Sequence, residues 1–511
     1  MTTTITALLS AQNPDATALS APDRGDLSYG ALAVQTDAVR AALHGAGIGR
    51  GDRVAIVMPN GPEMAAAILC IGQVAVTAPL NPAYGAPEFR FYLEDLGAKA
   101  LVVARGDDQP ALQVAREIDL PVIFLDPDTG GPAGAFTLTP EQSAKATDTS
   151  APEPGDAGLI LHTSGTTSRP KVVPLSQANL AASAGHIATS LALTPEDRCL
   201  NMMPLFHIHG LVAALLASLS SGGAVSCTPG FSALSFFPWL KAQDPTWYTA
   251  VPTMHQAILA RAPRNAEISE ACRLRFLRSS SASLPGPVME ALAETFGAPV
   301  IEAYGMTEAA HQMTCNPLGA GLQRPGSVGV AAGPEVAIAH EAENHITGGV
   351  GEVVISGPNV TAGYENNPEA NEKNFFEADG KRWFRTGDQG EIDAKGYLTL
   401  TGRLKEIINR GGEKISPLEV DGVLSAHPAV AQAVTFALPH DKLGEDVAAA
   451  VVLKEGQEAD EKAIRAFVGE QLAAFKVPRK VLILDEIPKG ATGKLQRICL
   501  AEKLGLVEGA A

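Results

Sequence analysis

The chain has 511 residues, 46% hydrophobic and 19% charged. At roughly 100–200 residues per domain, that is ample for several folding units around a large core. With 39 Lys+Arg against 56 Asp+Glu, the formal charge of −17 excludes nucleic acid and anionic membranes as expected partners. A phosphate-bearing ligand must therefore find a local positive site.

Six cysteines are scattered along the sequence, at Cys70, Cys199, Cys227, Cys272, Cys315 and Cys499. None has zinc or CxxC spacing, so they read as packing residues suited to a reducing cytoplasm. The N-terminus lacks a basic, apolar leader, and no apolar run approaches the roughly 18–20 residues of a membrane helix. A cytoplasmic protein, monomeric or homodimeric, is the expectation.

In chain order, residues 30–46 are Ala/Leu-rich and helical, and Arg53–Met58 is an apolar run closed by Pro59-Asn60-Gly61. Residues 61–72 read as helix, and Ala100–Val103 and Val122–Leu125 repeat the buried-strand signal. Strands alternating with helices predict parallel sheets in an α/β body. The Pro/Gly/Thr/Asp-rich stretch 128–157 reads as a surface connection. The α/β pattern resumes over 158–310, and residues 326–400 change to short β runs between Gly/Pro turns, predicting a β-rich subdomain. A compact α+β lobe follows, with helices near 417–426 and 461–474. The expected division is 1–402 and 403–511, with a hinge near Lys405 and a mobile C-terminal lobe.

The most informative stretch is Thr163-Ser164-Gly165-Thr166-Thr167-Ser168-Arg169-Pro170-Lys171, which follows the apolar run Leu159-Ile160-Leu161. Hydroxyls and backbone N–H groups around a glycine can cradle a polyphosphate, and the basic residues neutralise it. It is not a Walker loop, and a hydroxyl-rich surface turn alone would look similar. Further on come Glu302-Ala303-Tyr304-Gly305-Met306-Thr307-Glu308, Arg385-Thr386-Gly387-Asp388, Gly402-Arg403-Leu404-Lys405, Arg410-Gly411-Gly412 and Pro488-Lys489-Gly490-Ala491-Thr492-Gly493-Lys494.

In this order and spacing, these segments resemble the signature motifs of the adenylate-forming superfamily of acyl-CoA synthetases, luciferases and adenylation domains. Ser168 and Val172 stand where that family usually has glycine. The resemblance implies an ATP-dependent acid–CoA ligase acting through an acyl-adenylate, with ATP, CoA and Mg²⁺ as cofactors. It assigns ATP or AMP binding to Thr163, Ser164, Gly165, Thr166, Thr167, Lys171, Ser281, Ala282, Ser283, Glu302, Ala303, Tyr304, Gly305, Thr307, Asp388, Arg403 and Lys494. Catalysis falls to Lys494, Thr307, Glu308 and the hinge residue Lys405. Mg²⁺ is assigned to Glu308 and Thr166, and passage of CoA to Arg410, Gly411 and Gly412.

The acid is read from Pro204-Leu205-Phe206-His207-Ile208-His209-Gly210, Arg278-Ser279-Ser280-Ser281-Ala282-Ser283-Leu284 and Ala309-Ala310-His311-Gln312-Met313. Two imidazoles and a serine make a polar pocket, which suits an acid with a second polar group. These segments resemble the oxalate–CoA ligase subgroup, with His207, Ser281 and His311 expected to hold the distal carboxylate. A ligase for another short-chain, dicarboxylic or aromatic acid remains an alternative. So does a stand-alone adenylation enzyme loading a carrier protein, and, more remotely, a catalytically dead nucleotide-binding regulator.

Overall fold

The computed structural model describes residues 3–106, 109–163, 170–340, 344–488 and 497–507. The chain divides into two compact units. The first comprises Met1–Leu284, Val288–Val336 and Ile355–Phe384, and the second Pro285–Pro287, Ala337–Val354 and Arg385–Ala511.

Two large sheets organise the first unit. In the seven-stranded sheet, Ala100–Ala104, Arg53–Val57, Val76–Pro79 and Ala157–Thr163 are neighbours in that order, all parallel. Val54, Ala55, Ile56 and Val57 are all 0% exposed. Both faces are covered, which is why this strand reads as an unbroken apolar run rather than an alternation. The sheet ends in antiparallel strands at both edges. Lys171–Ser176 returns against Ala157–Thr163, and Phe136–Pro140 pairs with Val122–Pro127. That last strand lies inside the stretch expected to be a connection. Its inward Phe136 and outward Thr137 and Thr139 form a half-buried edge that the local composition hides.

The nine-stranded sheet has a parallel centre of Ala224–Cys227, Arg198–Asn201, Trp247–Ala250, Phe276–Ser279 and Val300–Met306. His311–Cys315 folds back antiparallel on Val300–Met306. One continuous core draws on both sheets, with Ile56, Val102 and Leu161 in the same apolar cluster as Leu19, Val225 and Trp247. Four cysteines are inert components of this interior. Burial pushes the Cys70 and Cys227 thiols up to about 12, Cys315 up to about 11, and Cys199 well above its ordinary value.

The second unit has its own sheet, built on the hairpin Val430–His440/Gly444–Leu453, with Ile408–Arg410 and Lys480–Ile483 alongside. Helices Pro417–Ala426 and Glu461–Gln471 cover it, burying Val420, Leu424, Ile464 and Val468 against Val447 and Val451. Both helices start on side-chain caps. Ser416 accepts from the Glu419 N–H and Asp460 from the Ala463 N–H. The long strand Lys381–Ile392 belongs to the first unit as far as Phe384 and to the second beyond it. No helix among the described residues is long and apolar enough to cross a membrane.

Candidate active site

The strand Ala157–Thr163 and its partner bring Thr163 into register with Lys171, the two flanks of the hydroxyl-rich loop. Ser164, Gly165, Thr166 and Thr167, and likewise Lys494, lie outside the described residues. Lys171 Nζ sits 4.1 Å from the centroid of the Tyr364 ring. The Tyr364 hydroxyl donates to Glu308 Oε1 at 2.9 Å. Burial first, then the Glu308 carboxylate, raises the Tyr364 phenol far above its ordinary range, so it remains a donor. A cation, a ring and an acid are thus stacked in sequence, and Lys171 and Glu308 share one locale.

Glu308 is 6% exposed and lies on a single 3₁₀ turn, Thr307–Ala309. The turn ends in an unusual backbone: Ala310 and His311 have φ of 47° and 103°. Non-glycine residues pay for this region, so other contacts must impose it. Ser183 donates to the Ala310 carbonyl at 2.6 Å, and Asn359 Nδ2 bonds the carbonyls of Ala309 and Gln312. Gly305 is required in the facing strand, because a Cβ there would meet the His311 carbonyl oxygen at 1.9 Å. Tyr304 is half-buried, and Ala303 is buried. The buried Glu302 accepts from the Leu284 N–H at 2.9 Å through Oε1, while Oε2 has no partner among the described residues. Burial raises this carboxyl to about 8.

A buried polar cluster lies at the ends of the neighbouring strands. His209 Nδ1 is 3.0 Å from Ser281 Oγ, and His209 Nε2 is 2.6 Å from Thr249 Oγ1. The His209 and His311 rings are 5.1 Å apart. Behind them is Arg278, 0% exposed. Its guanidinium donates from Nη1 towards His209 Nε2 and Thr249 Oγ1, both at 3.5 Å, and from Nη2 to His311 Nδ1 at 3.5 Å and Gln312 Oε1 at 3.3 Å. Its Nε has no partner among the described residues, and burial lowers the group to about 10. Among the described residues no carboxylate pairs with it. His209 opens a π-helical stretch, His209–Leu216, a geometry that recurs at functional sites. Ser281 has a φ of 73°, and Ala282 and Ser283 beyond it are exposed.

Of the expected acid-site trio, Ser281 and His311 therefore come together around His209 and Arg278. His207 is half-buried beside Phe206, with ring centroids 4.6 Å apart. His209 and Arg278 were both within quoted segments but carried no assigned role. A charged residue directly after the apolar pair Phe276-Leu277, in a strand buried at every position, is the signal that marks Arg278.

In the second unit, Asp388 and Arg403 face each other in register across a hairpin, and Arg403 Nε bonds Asp388 Oδ1 at 3.0 Å. Lys405 is exposed on the turn that follows. Arg410 pairs with Asp446 at 2.7 Å, and Gly411 and Gly412 turn the chain with φ of 60° and 99°.

Residues 8–365 match the AMP-binding enzyme family, and residues 419–494 match the AMP-binding enzyme C-terminal domain. The probable CoA ligase CCL9 of Humulus lupulus is 46% identical, over 98% of this chain and 96% of its own. The oxalate–CoA ligase of Arabidopsis thaliana is also 46% identical, over 96% of each chain. Among solved structures, ATP-bound MatB from Rhodopseudomonas palustris superposes with a TM-score of 0.86 at 29% identity, covering 98% of this chain and 99% of that one. The chain belongs to the AMP-binding enzyme family.

Proposed function

We propose that this chain is an ATP-dependent acid–CoA ligase that converts oxalate, ATP and CoA to oxalyl-CoA, AMP and diphosphate through oxalyl-adenylate. The observation that carries the choice of acid is the set of half-buried Ser281 with buried His209 and His311. A long alkyl chain placed there would leave its polar atoms without partners, an effect that discriminates strongly. The 46% identity to an oxalate–CoA ligase over nearly the whole chain supports the same reading.

In the first half-reaction a carboxylate oxygen attacks the α-phosphorus and diphosphate leaves. In the second, the CoA sulfur attacks the acyl carbon and AMP leaves. Neither step needs a protein nucleophile. The protein positions the reactants and neutralises charge. Lys171 and the 163–171 loop take the phosphates, Thr307 the α-phosphate, and Tyr304 the adenine face. Asp388 and Arg403 take the ribose, and Lys494 serves the first step. Lys405, which lies inside the second compact unit, is the pivot of a mobile 403–511 lobe, and the 410–412 glycine turn gives clearance to the pantetheine arm. Glu308 suits Mg²⁺: it is one hard carboxylate, oriented by Tyr364, of the kind that shares this ion with substrate phosphates. No group of three or more His, Cys, Asp or Glu side chains that could hold a metal ion occurs among the described residues. When bound, Mg²⁺ neutralises phosphate charge.

An acid panel tests the reading. With oxalate, malonate, acetate, benzoate and octanoate, AMP release should be at least tenfold more efficient in kcat/KM for oxalate, and multiple turnover should require CoA. A tenfold advantage for acetate or octanoate rejects oxalate. Steady AMP release that ignores CoA rejects the ligase.

A further inference from the structure

Arg278 is buried deeply enough to be driven down to about 10, yet the described protein supplies no anion for it. A buried charge without a counter-ion is costly. None of its four contacts is a carboxylate, and its Nε is unbonded among the described residues.

Those contacts also fix a direction. A guanidinium only donates. The nitrogens that face it, His209 Nε2 and His311 Nδ1, must therefore present lone pairs. The one lone pair of His209 Nε2 is taken by the Thr249 hydroxyl at 2.6 Å rather than by Arg278 at 3.5 Å, and Thr249 Oγ1 in turn accepts from Arg278. The His209 proton is then on Nδ1, 3.0 Å from Ser281 Oγ, which accepts it. The Ser281 hydroxyl hydrogen has no acceptor among the described residues and is left to donate outward. In the second branch, His311 carries its proton on Nε2. The Ser281 branch ends in a donor, a polarity that fits an acceptor-only group such as a carboxylate.

We propose that Arg278 is the positioning residue that sets acid specificity: its fork orients the Ser281–His209 chain and His311 as hydrogen-bond donors and supplies the buried positive charge answered by the second carboxylate of the substrate. This rests on the reading of the chain as an oxalate–CoA ligase, and extends it from the residues that touch the acid to the one that gives them their sense.

The test compares wild type with Arg278→Met and Arg278→Lys. In Arg278→Met, the KM for oxalate should rise at least 100-fold and kcat fall less than tenfold. The KM for ATP should stay within twofold, and the weak turnover of acetate within threefold. Lysine keeps the charge but reaches only one branch, so Arg278→Lys should recover at least tenfold of the lost KM without restoring wild type. In thermal melts with a non-hydrolysable ATP analogue, oxalate should raise the Tm of wild type and not of Arg278→Met. Wild type that releases no AMP with oxalate sinks the functional reading. Wild type that does so, with an Arg278→Met KM for oxalate within threefold of it, overturns this inference alone. If Arg278→Met does not fold, Arg278→Lys decides: a tenfold or greater rise in KM for oxalate at unchanged KM for ATP supports the inference, and a smaller rise overturns it.

Discussion

Two arginines, one in each unit, are buried in opposite ways. Among the described residues Arg278 contacts His209, Thr249, His311 and Gln312 and no carboxylate, and desolvation lowers its guanidinium. Arg497 is tied to Asp421 and bonds Glu406 at 3.4 Å, and these acids raise it despite burial. Arg497 thus joins the helix Pro417–Ala426 to the turn after Lys405 and has its counter-ions within the chain, although its Nε, like that of Arg278, has no hydrogen-bond partner among the described residues. Arg278 has no such counter-ion among the described residues. The difference shows that burial alone does not separate a structural charge from a ligand-directed one. The location of the counter-ion does.

Breaking each arrangement should expose that difference, and the largest effect belongs to the second unit. Arg497→Met leaves Asp421 buried without its partner. It should lower the stability of the Val430–Leu453 hairpin by about 3–5 kcal/mol, read as the opening free energy in hydrogen exchange. Adding Asp421→Asn should recover at least half. If Arg497→Met alone changes nothing, the pair is not a structural one.

Next in size, Lys494→Ala should slow adenylate formation about 100-fold, roughly 2.7 kcal/mol of barrier. Thioester formation from supplied oxalyl-adenylate should fall less than threefold. Equal losses would remove the division of labour between the half-reactions.

Glu302 provides a smaller, pH-dependent effect. Its carboxyl is raised to about 8 in the fold, against an ordinary value of 4.5. Between these values the folded state holds a proton that the unfolded state has lost. Its contribution to stability is fully present below 4.5, declines as pH rises, and stops changing above about 8. Glu302→Gln removes the titration. The Tm difference, variant minus wild type, should grow by several degrees from pH 5 to pH 8.5 and then level. A flat difference would show that the group does not titrate there.

The smallest expected effect completes the contrast. Arg278→Met removes a buried charge for which the protein has no anion, and should alter stability by no more than about 1 kcal/mol in either direction. A loss of several kcal/mol in chemical denaturation would make Arg278 a structural residue like Arg497.

The α/β body was legible because parallel strands covered on both faces read as apolar runs, as at Arg53–Val57. The helices of the second unit were legible from their periodicity and caps. Phe136–Pro140 was not, because an edge strand needs only two inward residues and its threonines resemble a turn. At the site, Ser281 and His311 were readable from the motifs that carry them. The placement of His209 beside Ser281 was not, because it depends on where the π-helical stretch begins. Arg278 stood in plain view, but its missing counter-ion is a property of three strands and a helix that only folding brings together.

The sealed cysteines have a consequence for an enzyme that makes a mixed anhydride. Acyl-adenylates acylate thiolates readily, and a protein that generates one risks labelling itself. Cys70, Cys199, Cys227 and Cys315 remain protonated at neutral pH and are shut inside the fold. They offer the activated acid no rival acceptor, so the sulfur of the incoming cosubstrate need not compete with these side chains for it.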